Sequence, residues 1–128
     1  MKSFRRPTSN AVLDWLEMLR TAHPTYDMRS SDVLPGFYED HSRIKLGTGR
    51  EIYESACQAI RTWRMFPAPM TQLVPALPPI VDGMVVSVLF RAGPLWTVNP
   101  CRIVDVIDQR LSGSDSFGFS YVTLPGHI

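Results

Sequence analysis

The sequence has almost no excess charge. Thirteen Lys and Arg stand against twelve Asp and Glu, a net charge of +1 in 128 residues. A face that tracks phosphates needs a larger basic surplus, so nucleic acid is not an expected partner. Long apolar runs are also missing, and no membrane span is expected. The start, Met1 to Arg6, is basic, but Asp14 and Glu17 interrupt the apolar stretch Ala11 to Leu19. That spoils it as a secretory signal. Only two cysteines are present, Cys57 and Cys101, far apart. Without a secretory context they are expected to be reduced and buried, which makes the cytoplasm the expected compartment.

Motifs of chemistry are scarce too. His23, His41 and the two cysteines lack metal-ligand spacing, so neither metal nor cofactor is expected. Gly47-Thr48-Gly49 lacks the third glycine of a dinucleotide fingerprint and the Gly-Lys-Ser/Thr of a P-loop. Ser112 and Ser114 lie outside any nucleophile-elbow pattern. His41 shows no orienting partner, and a general base needs one. No catalytic residue is assigned.

What is present reads as one globular domain, residues 1–128, with 45% hydrophobic and 20% charged residues. An N-terminal helix and loop occupy 1–40, and a strand–helix–meander core occupies 41–128. Ser9 or Asn10 caps the first helix, whose stripe is Val12, Trp15, Leu16 and Leu19. Pro24 ends it, and Thr25 to Tyr38 reads as loop with a turn at Pro35-Gly36. His41 to Leu46 alternates like a half-buried edge strand. Thr48 and Glu51 have capping-box spacing at the start of a helix from Arg50 to Arg64. Its expected buried face is Ile52, Ala56, Ala59, Ile60 and Trp63.

The second half reads as antiparallel strands. Pro75, Pro78 and Pro79 forbid a central strand over Val74 to Ile80. Met84 to Arg91 is a strong strand. Leu95 to Ile107 is a second, with a bulge or bend expected at Asn99-Pro100. Gln109 to Ser116 reads as a polar hairpin loop. Phe117 to Leu124 is the last strand, with Phe117, Phe119, Tyr121 and Thr123 on one face.

Three ordered stretches carry a resemblance: "RIKLGTGREIYESACQAIRTWRMF" (Arg43 to Phe66), "NPCRIVDVID" (Asn99 to Asp108) and "FGFSYVTLPGH" (Phe117 to His127). Together they resemble the uncharacterised bacterial and plant family catalogued as DUF1990, or UPF0548. The matching positions include Leu46, Gly47, Gly49, Trp63, Phe66, Pro100, Cys101, Arg102, Tyr121, Pro125, Gly126 and His127. Val122 stands where that family usually has Gly. The resemblance also implies a C-terminally shortened member, because family members continue beyond Pro-Gly-His with further strands and a long helix. It implies an α+β fold: a curved antiparallel sheet with helices, like a truncated helix-grip (Bet v 1/START-like) fold. No activity comes with it.

The function expected from this reading is non-enzymatic binding of an apolar or lipid-like small molecule in a sheet–helix cavity. Arg102 and Tyr121 would hold its polar end; Trp63, Phe90, Trp96, Phe117 and Phe119 would form walls, with His127 nearby. Arg102, being within an apolar strand, needs a carboxylate or carbonyl partner, with Asp105 or Asp108 as candidates. An exposed sheet edge and face open a second reading, a protein-interaction or homodimer module. A third is an enzyme of unknown reaction using Arg102, Tyr121 and His127.

Overall fold

A computed structural model describes residues 1–26 and 35–127. The part of the expected Thr25 to Tyr38 loop that falls on 27–34 lies outside the described residues. The elements are β1 (Lys2–Ser3), α1 (Ser9–Met18), α2 (Arg50–Arg61), β2 (Thr71–Val74), β3 (Val85–Ala92), β4 (Leu95–Leu111) and β5 (Ser114–Thr123). The strands form one antiparallel sheet in the order β1-β4-β3-β2, with β5 also on β4. It is strongly curled into a half-barrel and carries two helices, an α+β arrangement of helix-grip type.

Register sorts the strands into two faces. Ser87 lies opposite Pro100, Leu89 opposite Val98, and Val74 opposite Ser87. That face is covered by α1, whose Val12 and Leu16 pack with Val74, Leu89 and Val98. The other face presents Val86, Cys101 and Ile103 to Trp63. The sheet is thus apolar on both sides over its central strands, with α1 against one side and the segment after α2, carrying Trp63 and Phe66, against the other.

β4 is the spine. Its first half lies between β3 and β1. Beyond Ile103 it continues with β5 as a two-stranded ribbon to a tight turn at Ser112-Gly113, where Gly113 takes φ +80°. The expected polar loop over 109–116 is therefore mostly strand. The register shifts between Ile103 and Asp105. This single extra residue reverses the parity of β4, so Ile103 and Val106 both face Trp63 and Phe119.

The bulge was expected at Asn99-Pro100, and there the ladder is regular, with Pro100 opposite Ser87. The Pro100 carbonyl accepts from Leu124 N–H at 3.0 Å. A strand residue aims its N–H and C=O to the same side, so the missing donor of Pro100 falls at the end of the β5 ladder. No central hydrogen bond is lost.

Three other local expectations are corrected. Thr8, not Ser9 or Asn10, caps α1: its Oγ1 accepts from Ala11 N–H at 3.2 Å. At α2 the cap is Gly49, at φ +95°, with no side-chain bond. Thr48 stands one residue outside the cap, beyond reach of the capping-box geometry. His41 to Leu46 forms no strand, and every residue there is exposed. Alternation supplies a face but not a partner, and an unpaired strand has nothing to hold it.

α2 also ends earlier than its pattern suggested. Trp63 adopts φ +58°, a left-handed conformation that breaks the helix after Arg61. Of the expected face, Ala56, Ala59 and Ile60 are half-buried and Trp63 is buried. Cys57 is the buried residue of α2, while Ile52 is exposed. β1 and β2 are additions to the expected meander. β2 ends at Val74, immediately before the prolines that bar its extension.

Candidate ligand-binding face

The face served by α2 carries an aromatic row. Trp63 is buried at its centre, and its indole N–H donates to the Pro78 carbonyl at 2.8 Å. The Phe66 ring stacks beside it at 6.3 Å between centroids, and Phe119 meets it edge-on at 5.1 Å. Phe119 in turn lies 6.1 Å from Tyr121. These separations are in the range where aromatic rings attract beyond simple burial. Tyr121 ends the row with 41% of its surface exposed. The centre of the row is core and this end is wet.

β5 places this row by its period of two. Phe117, Phe119 and Tyr121 share the face. Phe117 lies under the Arg61 guanidinium, 4.2 Å from the ring centroid, and Arg61 also reaches Asp108 at 3.8 Å. Cys101 lies beneath the row; burial pushes its thiol pKa up to about 12. Burial likewise raises the Tyr121 phenol, with smaller contributions from Cys101 and Tyr26. Both groups are neutral at physiological pH, so the row is uncharged.

The expected site residues divide between the two faces. Trp63, Phe117, Phe119 and Tyr121 come together as described. Phe90 is on the same face by register, half-buried between Thr71 and Thr97. Trp96 is on the opposite face, flanked by the guanidinium groups of Arg6 and Arg91. Arg102 is on that opposite face too, directly beside Val122. Its partners are carbonyls rather than Asp105 or Asp108. One terminal nitrogen, Nη2, donates to Leu19 O, Arg20 O and Ala22 O at 3.0, 2.8 and 2.9 Å. A strand-borne cation thereby closes the C-terminal end of α1, where helix carbonyls lack partners.

His127 follows the Leu-Pro-Gly turn and is exposed, with its N–H donating to Leu124 O at 3.1 Å. That turn is built into the α1 face. Leu124 is fully buried, and a Cβ on Gly126 (φ +94°) would stand 2.5 Å from Trp15 Cζ2. Val122, at the position where glycine was the expected family residue, is buried in an unbroken ladder and fills space beside Arg102.

Sequence reading missed Phe66 as a wall residue, although it stands three after Trp63. Two clefts escaped it entirely. One, of about 280 Å³, lies between α1 and the sheet, lined by Leu13, Leu16, Pro75, Met84 and Val85 with Glu17 and Arg20 at its rim. The other, of about 610 Å³, separates the start of α2 from the β4–β5 turn. There Arg50 pairs with Asp115 at 2.8 Å, which raises the Arg50 pKa, and its guanidinium lies over Tyr53 at 5.8 Å. His41 does have a carboxylate neighbour, Glu39, at 2.9 Å, but both side chains are largely exposed. Among the described residues no group of three or more His, Cys, Asp or Glu could hold a metal, and no helix is long and apolar enough to cross a membrane.

Comparison with known proteins places this geometry in a family. The family model described as a domain of unknown function, DUF1990, matches residues 21–128, so α1 and β1 precede the matched region. A UPF0548 protein of Arabidopsis thaliana, At2g17695, is 32% identical over 95 residues, covering 73% of this chain and 46% of that protein. A UPF0548 protein of Dictyostelium discoideum is 32% identical over 93 residues, covering 72% of this chain and 43% of that protein. The matched stretch thus spans less than half the length of either relative. No solved structure matches. The chain belongs to the DUF1990 (UPF0548) family.

Proposed function

We propose that the protein binds an apolar or lipid-like small molecule against the aromatic row on the α2 face of the sheet. The observation that carries this reading is Tyr121, whose ring continues a packed series from buried Trp63 and Phe119 yet remains 41% exposed. An apolar body would extend the stack over Phe119, and the phenol would meet the ligand's polar end. Apolar walls with a few placed polar groups are the usual composition of such sites. Arg102 takes no part in it, because it faces α1.

Native mass spectrometry of protein purified from cells tests the proposal. The expected result is added mass that disappears on denaturation. Tyr121→Ala should weaken binding of a fluorescent fatty-acid probe by about tenfold, equivalent to ~1.4 kcal/mol, while leaving the fold intact, since Tyr121 is a surface residue. Absence of both added mass and probe binding would refute it.

A further inference from the structure

The charges of this chain are unevenly placed. Residues 1–13 contain Lys2, Arg5 and Arg6 and no acid, and residues 83–104 contain Arg91 and Arg102 and no acid. Arg102 serves the end of α1. The fold brings the other cations to one end of the sheet. Ser3 of β1 and Arg91 of β3 flank Trp96 in the ladder. The guanidinium carbons of Arg6 and Arg91 lie 5.9 and 5.8 Å from the centroid of the Trp96 ring. Lys2, opposite Thr97, stands one position away on the reverse side of the same edge.

None of these four cations forms an ion pair among the described residues. Arg6 donates to the Gln72 Oε1, and Arg91 Nε donates to Gly93 O at 3.0 Å. Those acceptors are neutral, so they orient the two guanidinium groups and leave the charge uncompensated. At the ribbon, by contrast, Asp115 and Asp108 pair with Arg50 and Arg61.

An apolar ring is held among these cations. Phe4 is 81% exposed, yet it stands on an anchored turn. Before it, Ser3 is laddered to Trp96, and the Met1 carbonyl accepts from Val98 N–H at 2.9 Å. After it, Arg5 N–H donates to Ser3 Oγ at 3.1 Å, and Arg6 reaches Gln72 of β2. A lone exposed apolar side chain is ordinary. One fixed between unpaired cations has the composition that suits a layer with negative charge outside and hydrocarbon beneath. A nucleic acid would use the same cations, but a net charge of +1 gives it no wider field to follow.

We propose that the Trp96 end of the sheet docks on anionic membrane surfaces, with Arg5, Arg6 and Arg91 on the lipid headgroups and Phe4 inserted between them. This contact is independent of the aromatic row, which lies on the other face of the sheet.

Co-sedimentation with lipid vesicles tests this. Phosphatidylcholine vesicles containing about 30% phosphatidylserine should bring the protein down, and pure phosphatidylcholine should not. Affinity should fall at least about tenfold between about 0.1 and 0.5 M salt, as the charges are screened. Arg5→Glu should weaken binding at least about tenfold; its side chain makes no bond among the described residues, so the fold is spared. Arg110→Glu, the same change of charge on the ribbon, should alter binding by less than about threefold. Phe4→Ser should cost at least about fivefold. A polarity-sensitive fluorophore on Phe4→Cys should shift to the blue on the anionic vesicles; Cys57 and Cys101 are buried. No binding to those vesicles at about 0.1 M salt, equal losses in Arg5→Glu and Arg110→Glu, or an unshifted fluorophore overturns the proposal. So does an RNA oligonucleotide that binds more tightly than the vesicles through the same residues.

Discussion

Arg102 shows how much of this fold rests on one side chain. Its three carbonyl acceptors all lie at the end of α1, so its loss would strip that helix end of its charged partner. Hydrogen bonds to a charged group contribute about 1.5–3 kcal/mol, so Arg102→Ala should lower unfolding free energy by about that amount in urea titrations. Arg102→Lys should recover part of it, since an ammonium also brings several donors to one point but on a shorter side chain than the one that carries Nη2. A second residue-scale expectation concerns Cys101. Its folded-state pKa of about 12 is above the ordinary 9.0 because burial penalises the thiolate. The unfolded chain therefore loses this proton first as pH rises. Stability from this thiol is complete below pH 9.0 and is lost between there and about 12, at a slope of up to ~1.4 kcal/mol per pH unit. Cys101→Ala should flatten that alkaline decline, and thiol reagents at pH 8 should leave native Cys101 unmodified. Arg102 was legible as a residue needing partners. Its partners were not, because which strand residues share a face with α1 depends on register, and register is a property of pairs.

Among the elements, the two helices separate what a pattern can and cannot reveal. The stripe of α1 was legible because Val12, Leu16 and Leu19 all bury against one sheet face, as the helical period requires. The caps were not, because several polar residues precede each helix and backbone conformation chooses among them. The choice has measurable consequences. Thr8→Ala should destabilise by about 1 kcal/mol, the usual value of a lost N-cap. Thr48→Ala should change stability by under about 0.5 kcal/mol, since Gly49 occupies the cap and no Thr48 bond to α2 exists. Thermal melts of the pair distinguish these directly; equal losses would contradict the assignment of Gly49. The ending of α2 is the harder case. Nothing in the Arg50 to Arg64 stretch announces a left-handed Trp63. The conformation costs roughly 1–3 kcal/mol for a residue with a side chain, offset here by the bond to Pro78 O and by contact with Phe66 and Phe119. Those partners are remote in sequence, which is why helical periodicity overran the true end.

At the scale of the whole molecule, stability should be unevenly spread along β4. Its first half is sandwiched: β3 and β1 on its edges, α1 on one face, Trp63 and its neighbours on the other. Its second half is a two-stranded ribbon held to α2 by the ion pairs Arg50–Asp115 and Arg61–Asp108 and by Arg61 over Phe117. Ion pairs whose cation is open to solvent contribute little, and a cation over a ring adds little more. Neither replaces a core. The meander order was readable from turn residues and β-branched runs, but this asymmetry was not, since Leu95 to Ile107 reads as one strand with nothing to mark where its β3 neighbour ends. Hydrogen exchange makes the difference visible. Amides of residues 86–90, 97–99 and 101–103 should exchange only through global opening. Those of 105–118 and of α2 should exchange at least about tenfold faster, through a local opening that peels the ribbon and its helix from the sandwich. The boundary should fall at the register shift after Ile103, because there β4 loses its β3 neighbour and reverses its faces. Uniform protection along β4 would instead mean that ribbon and sandwich unfold as one unit, and that the open edge of β4 is covered in solution.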